Sequence, residues 1–294
     1  MKRLSIVIVT YNSEKDIYDS LQSIYSNSDI PQEDLEVIVV DNGSRNCSEM
    51  FSRIRDEHND VILLENTHNG GYGQGNNVGI SHSSAPIVMI MNPDVRLIEP
   101  VFSKVLRAYD GDDSLGIYGM NEMLDEKRDS HHSYICTYMM NGYLWVLLTG
   151  LTNRMNMYFQ KWQYIHGACF FVRKEMFNAI GGFDESIFMY GEEDDIRCRM
   201  LAKYGKCIKY DSTLHFVHKS EGRKPNVEYE KTLVEVALKN HKKVGYPKES
   251  TIRNFIRITR LQMLIEKIKI HRGKSDERYK VLQELMSYLR QINV

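Results

Sequence analysis

The sequence predicts an α/β fold in which an open, mostly parallel sheet flanked by helices occupies residues 1–226 and a helical extension follows over 227–294. Three observations carry this reading. The runs LSIVIV (4–9), LEVIVV (35–40) and APIVMIM (85–91) are rich in Ile and Val and apolar at nearly every position, the pattern of strands buried on both faces. Between the first two, SEKDIYDSLQSIYSN (13–27) puts Ile17, Leu21, Ile24 and Tyr25 on one helical face, and strands alternating with amphipathic helices build βαβ units. Residues 227–294 hold no strand-like run.

Taken in order, the first strand ends in TYN (10–12), and Ser13 with Asp16 supplies a cap and a first-turn acid for the next helix. The second strand ends in DNGS (41–44). The segment NGGYGQGNNVG (69–79) is Gly-rich, but no Gly-Lys-Ser/Thr follows to make it a phosphate loop. Its glycines permit close backbone approach, and a helix is expected around Asn77–Ser83. The third strand ends in NPDV (92–95). Open parallel sheets bind ligands outside the carboxyl ends of their strands, so three polar ends in succession point to one shared crevice. Residues 110–160 are Met- and Tyr-rich without a clean period. From 163 a strand, a helix over 174–180 and a Gly-Gly turn are expected. GEEDD (191–195) then opens a helix carrying Ile196, Met200 and Leu201. Four acids in a first turn also suit the helix dipole with no further role.

Composition excludes several classes. Formal net charge is −1, with 42% hydrophobic and 26% charged residues, so no global field favours nucleic acid. Five cysteines without a CxxC argue for reduced thiols and a cytoplasmic setting. The N-terminal apolar stretch is too short for a signal-peptide core, and runs such as YLWVLLTGL (143–151) fall well short of a bilayer span.

Eight motifs then stand in order: Val9–Asn12, Val40–Ser44, Asn69–Gly79, Asn92–Asp94, Gly167–Arg173, Gly181–Glu185, Glu192–Asp195 and His218. Over residues 3–222 the chain resembles the family-2, GT-A-fold inverting glycosyltransferases, most closely their rhamnosyltransferase-like bacterial branch. The resemblance implies transfer of a sugar from a nucleoside diphosphate to an acceptor hydroxyl, assisted by a divalent cation (Mn²⁺ or Mg²⁺). Asp94 matches the last acid of the family's metal motif, whose first acid is replaced here by Asn92, a group suited to hydrogen-bonding the donor. His218 is the expected second protein ligand; a surface histidine is the competing account, and His215 reads as structural. Thr10, Tyr11, Asn12, Asp41, Asn69, Gly75 and Asn76 are expected around the nucleotide-sugar. Asp41 would accept from a pyrimidine N–H, since an ionised carboxylate only accepts.

The base is expected among the acids. Glu193 takes the family's base position, flanked by Glu192 and Asp195, with Asp194 its nearest rival. Neighbouring acids should raise its pKa and so make it a better base. Asp184 and Glu185 are expected on the acceptor side, part of whose wall the 110–160 segment would supply. Trp162 suits either sugar stacking or a core. Within TIRNFIRITRLQMLIEKIKIHRGK (251–274) seven Lys and Arg face one Glu. Such a helix suits an anionic membrane surface on the inner face of the cell membrane, a helix packed on the core, or a homodimer interface. The expected donor is dTDP-L-rhamnose or a UDP-sugar, and the acceptor a bacterial surface polysaccharide or its lipid-linked precursor. The alternatives are a nucleotidyltransferase and an inactive sugar-nucleotide-binding homologue. The first would want a basic Gly-rich loop after the first strand, where TYNSEKD stands; the second would have lost Asp94 or the acidic cluster.

Overall fold

In a computed structural model that describes residues 1–219, 224–272 and 275–292, the chain forms two compact units, Met1–Ser133 with Ile165–Ser220 and Tyr134–Tyr164 with Glu221–Val294. The ends of two expected stretches, 220–222 of the motif-bearing region and 273–274 of the basic helix, lie outside the described residues, as do 223 and 293–294.

The first unit is built on a sheet with strand order β3-β2-β1-β4-β10-β6-β11-β5. Its strands are β1 (Leu4–Thr10), β2 (Leu35–Asp41), β3 (Ile62–Glu65), β4 (Ile87–Met91), β5 (Val95–Leu97), β6 (Ile117–Asp125), β10 (Cys169–Arg173) and β11 (Ile208–His218); β7 (Arg128–Asp129) pairs with β6. The strands read from sequence, β1, β2 and β4, lie side by side and parallel, buried at almost every position as their apolar runs require. β10 inserts antiparallel between β4 and β6, so beyond β4 the sheet is mixed. One face packs on α1 (Ile17–Ser26), α2 (Cys47–Glu57) and α4 (Phe102–Asp110) through Leu21, Ile24, Phe51, Ile54, Phe102 and Val105. Each such buried side chain contributes about 1.5–3 kcal/mol.

Register sets the site. Cys169 lies opposite Met91, so Gly167 and Ala168 run beside the end of β4, where the Asn92 amide donates to the Ala168 carbonyl at 2.8 Å. His218 lies opposite Val95 in the β11–β5 pair, one residue from Asp94. In the β11–β6 pair the register jumps between Asp211 and His215 while β6 advances only from Met120 to Asn121, a bulge of three extra residues.

Most of the Gly-rich segment is helical, and only 69–71 are loop. Helix α3 spans Tyr72–His82, beginning five residues ahead of the expected Asn77. Gly75 and Gly79 face the sheet: a Cβ on Gly79 would lie 3.1 Å from Val40 Cγ2 and 3.2 Å from Val7 Cγ2, and one on Gly75 2.6 Å from Val9 Cγ1, while Gly73 faces Phe183. Only a helix bare of side chains there can lie so close. Helices α6 (Lys174–Ala179) and α7 (Glu192–Tyr204) complete the unit.

The second unit pairs β8 (Tyr134–Cys136) with β9 (Gln163–Ile165) and joins α5 (Gly142–Arg154) to α8 (Val227–Lys243), α9 (Lys248–His271) and α10 (Glu277–Ile292). Val234, Ala237, Ile252, Phe255, Leu285 and Leu289 form its core. Asn254 Nδ2 donates to the Tyr138 carbonyl (2.9 Å) and the Tyr246 hydroxyl to the Met139 carbonyl (2.9 Å). Those bonds tie the middle segment to the C-terminal helices, whereas the sequence reading drew a single boundary at 226. Among the described residues no helix is long and apolar enough to cross a membrane.

Candidate active site

The site is assembled at the polar strand ends of the first unit. Thr10 and Asp41 are register partners, and both are fully buried. Asp41 Oδ1 accepts from the Thr10 hydroxyl (3.0 Å) and the Ser44 hydroxyl (2.5 Å), and Oδ2 from the Ser44 amide (2.8 Å). A carboxylate has about four acceptor positions, and the Cys47 thiol also hydrogen-bonds this side chain. Tyr11 is exposed. Asn12 adopts a left-handed φ of 52°, donates its amide to Ser44 Oγ (2.7 Å) and accepts from the Arg45 amide (3.2 Å).

A chain of polar groups starts at Asp94, which is half-buried. His218, only 7% exposed, is no surface histidine: its Nε2 lies 3.3 Å from Asp94 Oδ2 and its Nδ1 3.3 Å from Glu122 Oε1. The other oxygen of buried Glu122 is 2.6 Å from His166 Nδ1. Burial pushes the Glu122 carboxyl up, but the two imidazoles outweigh it and hold it down at about 2. Burial would lower His218; hydrogen bonds and charge from Asp94 and Glu122 instead raise it to about 9. His215 sits apart, paired with Glu99 (2.8 Å).

These residues fit a divalent cation. By engaging both Nδ1 atoms, Glu122 fixes the two rings so that each Nε2 faces away from it, and a buttressing carboxylate behind a ligating histidine is the usual arrangement at metal sites. His218 Nε2 with an Asp94 oxygen offers one nitrogen and one oxygen donor, leaving positions for phosphate and water. Glu122, His166 and His218 also each present a ligand atom within 4.8 Å of the others.

The four acids of α7 separate into two kinds. Asp194 is buried against Arg197 (2.7 Å), and Asp195 against Arg199, whose Nε lies 2.9 Å away. Arg199 also donates to the Ile180 carbonyl (2.6 Å). Asp195 is therefore held by Arg199, and Asp194 likewise by Arg197. Glu192 is buried with Oε2 lacking a hydrogen-bond partner; burial and then the charge of Glu193 raise its pKa well above the usual range. Burial raises Glu193 too, while His166 and the amides of Glu193, Gly191 and Gly167 pull it part of the way back. Its carboxylate lies over Gly167, where an added Cβ would approach Cδ to 2.9 Å and Cγ to 3.0 Å. Tyr72 donates its hydroxyl to the Gly167 carbonyl at 2.5 Å, which fixes that strip of backbone. Asp94, His218, Glu122, His166 and Glu193 thus form one contiguous series.

Other expected residues fall differently. Gly75 packs on Val9 and Asn42. Asn76, 1% exposed, donates to the Tyr72 carbonyl one turn back (2.9 Å); both take part in packing α3. Asn69 closes a turn through the Gly71 amide (3.0 Å). Asn92 is half-buried beside Asp94. Asp184 accepts from the Ser186 amide within its own turn (2.9 Å), and exposed Glu185 accepts from Asn77 of α3 (3.0 Å). Trp162 belongs to the second unit, partly exposed, with Lys161 Nζ 4.9 Å from its ring centre. Glu122, His166 and Tyr72 were not singled out from sequence; the one available signal was His166 standing directly before Gly167.

The family model described as Glycosyl transferase family 2 matches residues 5–181. The low-salt glycan biosynthesis hexosyltransferase Agl10 of Haloferax volcanii is 28% identical over 211 residues, 65% of this chain and 59% of that protein. The chain therefore spans about three-fifths of that relative's length. The solved mannosyltransferase PcManGT of Pyrobaculum calidifontis, in complex with GDP-Man and Mn²⁺, superposes with a TM-score of 0.64 at 16% identity, covering 98% of this chain and 84% of that one. TarS 1–349 of S. aureus in complex with UDP gives 0.55 at 15% identity, covering 93% and 73%. Structures this distant in sequence share the fold, which is GT-A.

Proposed function

The chain belongs to glycosyl transferase family 2, and from that premise we propose that it is an inverting glycosyltransferase whose base is Glu193. The observation that carries the reading is the division among the acids of α7: Asp194 and Asp195 are each held by an arginine, while Glu193 lies over Gly167, in the strip that runs beside Asn92. In a single displacement the acceptor oxygen attacks the anomeric carbon, its proton passes to the Glu193 carboxylate, and the bond to the diphosphate breaks. A base is most effective when its pKa lies near the working pH, and burial moves Glu193 in that direction. Glu192 beside it is pushed well above the usual carboxylate range, first by burial and then by the charge of Glu193. We infer that Asp41, at the end of β2, meets the base of the nucleotide.

Asp94 and His218 would hold a divalent cation, Mn²⁺ or Mg²⁺, which when bound offsets charge on the leaving diphosphate. Glu122 would orient His218 for this, and Asn92 would hydrogen-bond the donor. We infer a dTDP-L-rhamnose or UDP-sugar donor and a surface-polysaccharide or lipid-linked acceptor from the order of the motifs. Support for a nucleotide-sugar donor comes from solved neighbours bound to GDP-Man and to UDP. In the testing experiment Glu193→Gln lowers turnover by about 10²–10⁴-fold while donor affinity measured by calorimetry is kept. Full activity in that variant overturns the assignment.

A further inference from the structure

We propose that the second unit docks on an anionic lipid bilayer through adjoining faces of α5 and α9. The inference does not rest on the reaction assigned above.

Helix α5 turns a row of leucines outward. Its buried residues are Gly142, Thr152 and Asn153; inward, Trp145 stacks on Tyr138 with ring centres 5.5 Å apart and donates to the Cys136 carbonyl (2.6 Å), and Asn153 donates to the Tyr134 carbonyl (2.9 Å). Leu144, Leu147 and Leu151 instead lie on the open side, 50%, 62% and 52% exposed. The spacing of three, four and seven puts them on one stripe. Single exposed leucines are ordinary, but a stripe of them on one helix marks a face meant for apolar contact.

Helix α9 adds the charge. Arg253, Arg257 and Arg260 follow at spacings of four and three, on one face that continues into exposed Leu264 and Ile268. The two helices meet where Gly142 lies against Arg257, whose Cβ would be 2.8 Å from an added methyl, and the Arg257 guanidinium sits 5.7 Å from the Tyr143 ring centre. Between them runs a groove of about 490 Å³ lined by Tyr143, Glu249, Ile256 and the three arginines. Cations beside a leucine stripe match a phosphate layer over acyl chains. A second copy fits less well, because a two-fold contact through this face would set arginine against arginine. No described helix is long and apolar enough to cross the bilayer, so the face lies on it.

The test floats the full chain with neutral phosphatidylcholine vesicles and with vesicles carrying about one-third phosphatidylglycerol. The expected result is partitioning to the anionic vesicles only, weakened by salt. Reversal of the three arginines (R253E/R257E/R260E) should lower it by a factor on the order of a hundred. The exposed-site pair L147E/L151E should abolish it with circular dichroism and Tm unchanged. Equal partitioning to neutral vesicles, or retention in either variant, overturns the proposal. Two further outcomes also overturn it: a dimer in sedimentation that L147E/L151E dissociates would make the face a self-interface, and binding of inorganic phosphate without vesicle binding would make the groove a soluble-anion site.

Discussion

Gly167→Ala should separate chemistry from binding and stability. Gly167 is not among the residues with positive φ, so alanine meets no backbone strain. The new methyl would lie 2.9 Å from Glu193 Cδ and 3.0 Å from Cγ, with Oε1 nearer still. Carbon atoms prefer about 3.5–4.0 Å, so the carboxylate must retreat by roughly 1 Å. It is the far end of a flexible side chain, which keeps the folding cost small. Reacting groups tolerate such a shift poorly: a displacement of about 1 Å can cost about 10²-fold in rate, or about 2.7 kcal/mol in the barrier. The assay is steady-state turnover with donor affinity by calorimetry and Tm measured alongside. We expect kcat down about a hundredfold, donor Kd within about twofold and Tm within a few degrees. In a double-mutant cycle, Gly167→Ala should add little in the Glu193→Gln background, because both changes act on one group. Wild-type kcat in Gly167→Ala, or additive losses in the cycle, would refute the placement of the base.

Two further outcomes follow from the fold. Burial pushes the Asp211 carboxyl up, but hydrogen bonds from Thr213, Lys104 and Tyr118 outweigh it and hold the pKa below the usual carboxylate range. A depressed folded pKa stabilises above the unfolded value of about 3.9 and is lost as pH falls through the folded one. Thermal scans should therefore show stability dropping below about pH 4, with a shallower drop in Asp211→Asn. Gly79→Ala would press a methyl onto Val7 and Val40; urea unfolding should show a loss of about 1–3 kcal/mol from overpacking.

The central strands were legible because burial on both faces leaves an unbroken apolar run, as at 4–9, 35–40 and 85–91. Asp94 and His218 were legible as types in a motif order, and their meeting follows from the β11–β5 register. Helix α3 was read as starting late because Gly70, Gly71, Gly73 and Gly75 look like loop residues, while three glycines of the helix, 73, 75 and 79, are interface. Glu122 was invisible: it lies on a strand in a stretch without period, and its importance arises only when β10 and β11 flank β6. The arginine partners that distinguish Asp194 and Asp195 from Glu193 sit three and four residues on. That helical spacing is present in the sequence, but spacing alone does not tell which acids the arginines hold. The union of 134–164 with the C-terminal helices depends on bonds across more than a hundred positions, such as Asn254 to Tyr138, which no local pattern encodes.

The jog in β11 decides which way an imidazole points. Four steps along β11, from Asp211 to His215, answer a single step along β6, so three residues are inserted and the alternation of faces is inverted once. That inversion puts His218 on the same side as Glu122. What matters over 212–214 is therefore parity: a strand shorter by one residue would carry every side chain beyond it to the opposite side, and an intact histidine would be turned from its carboxylates without any change in its own identity.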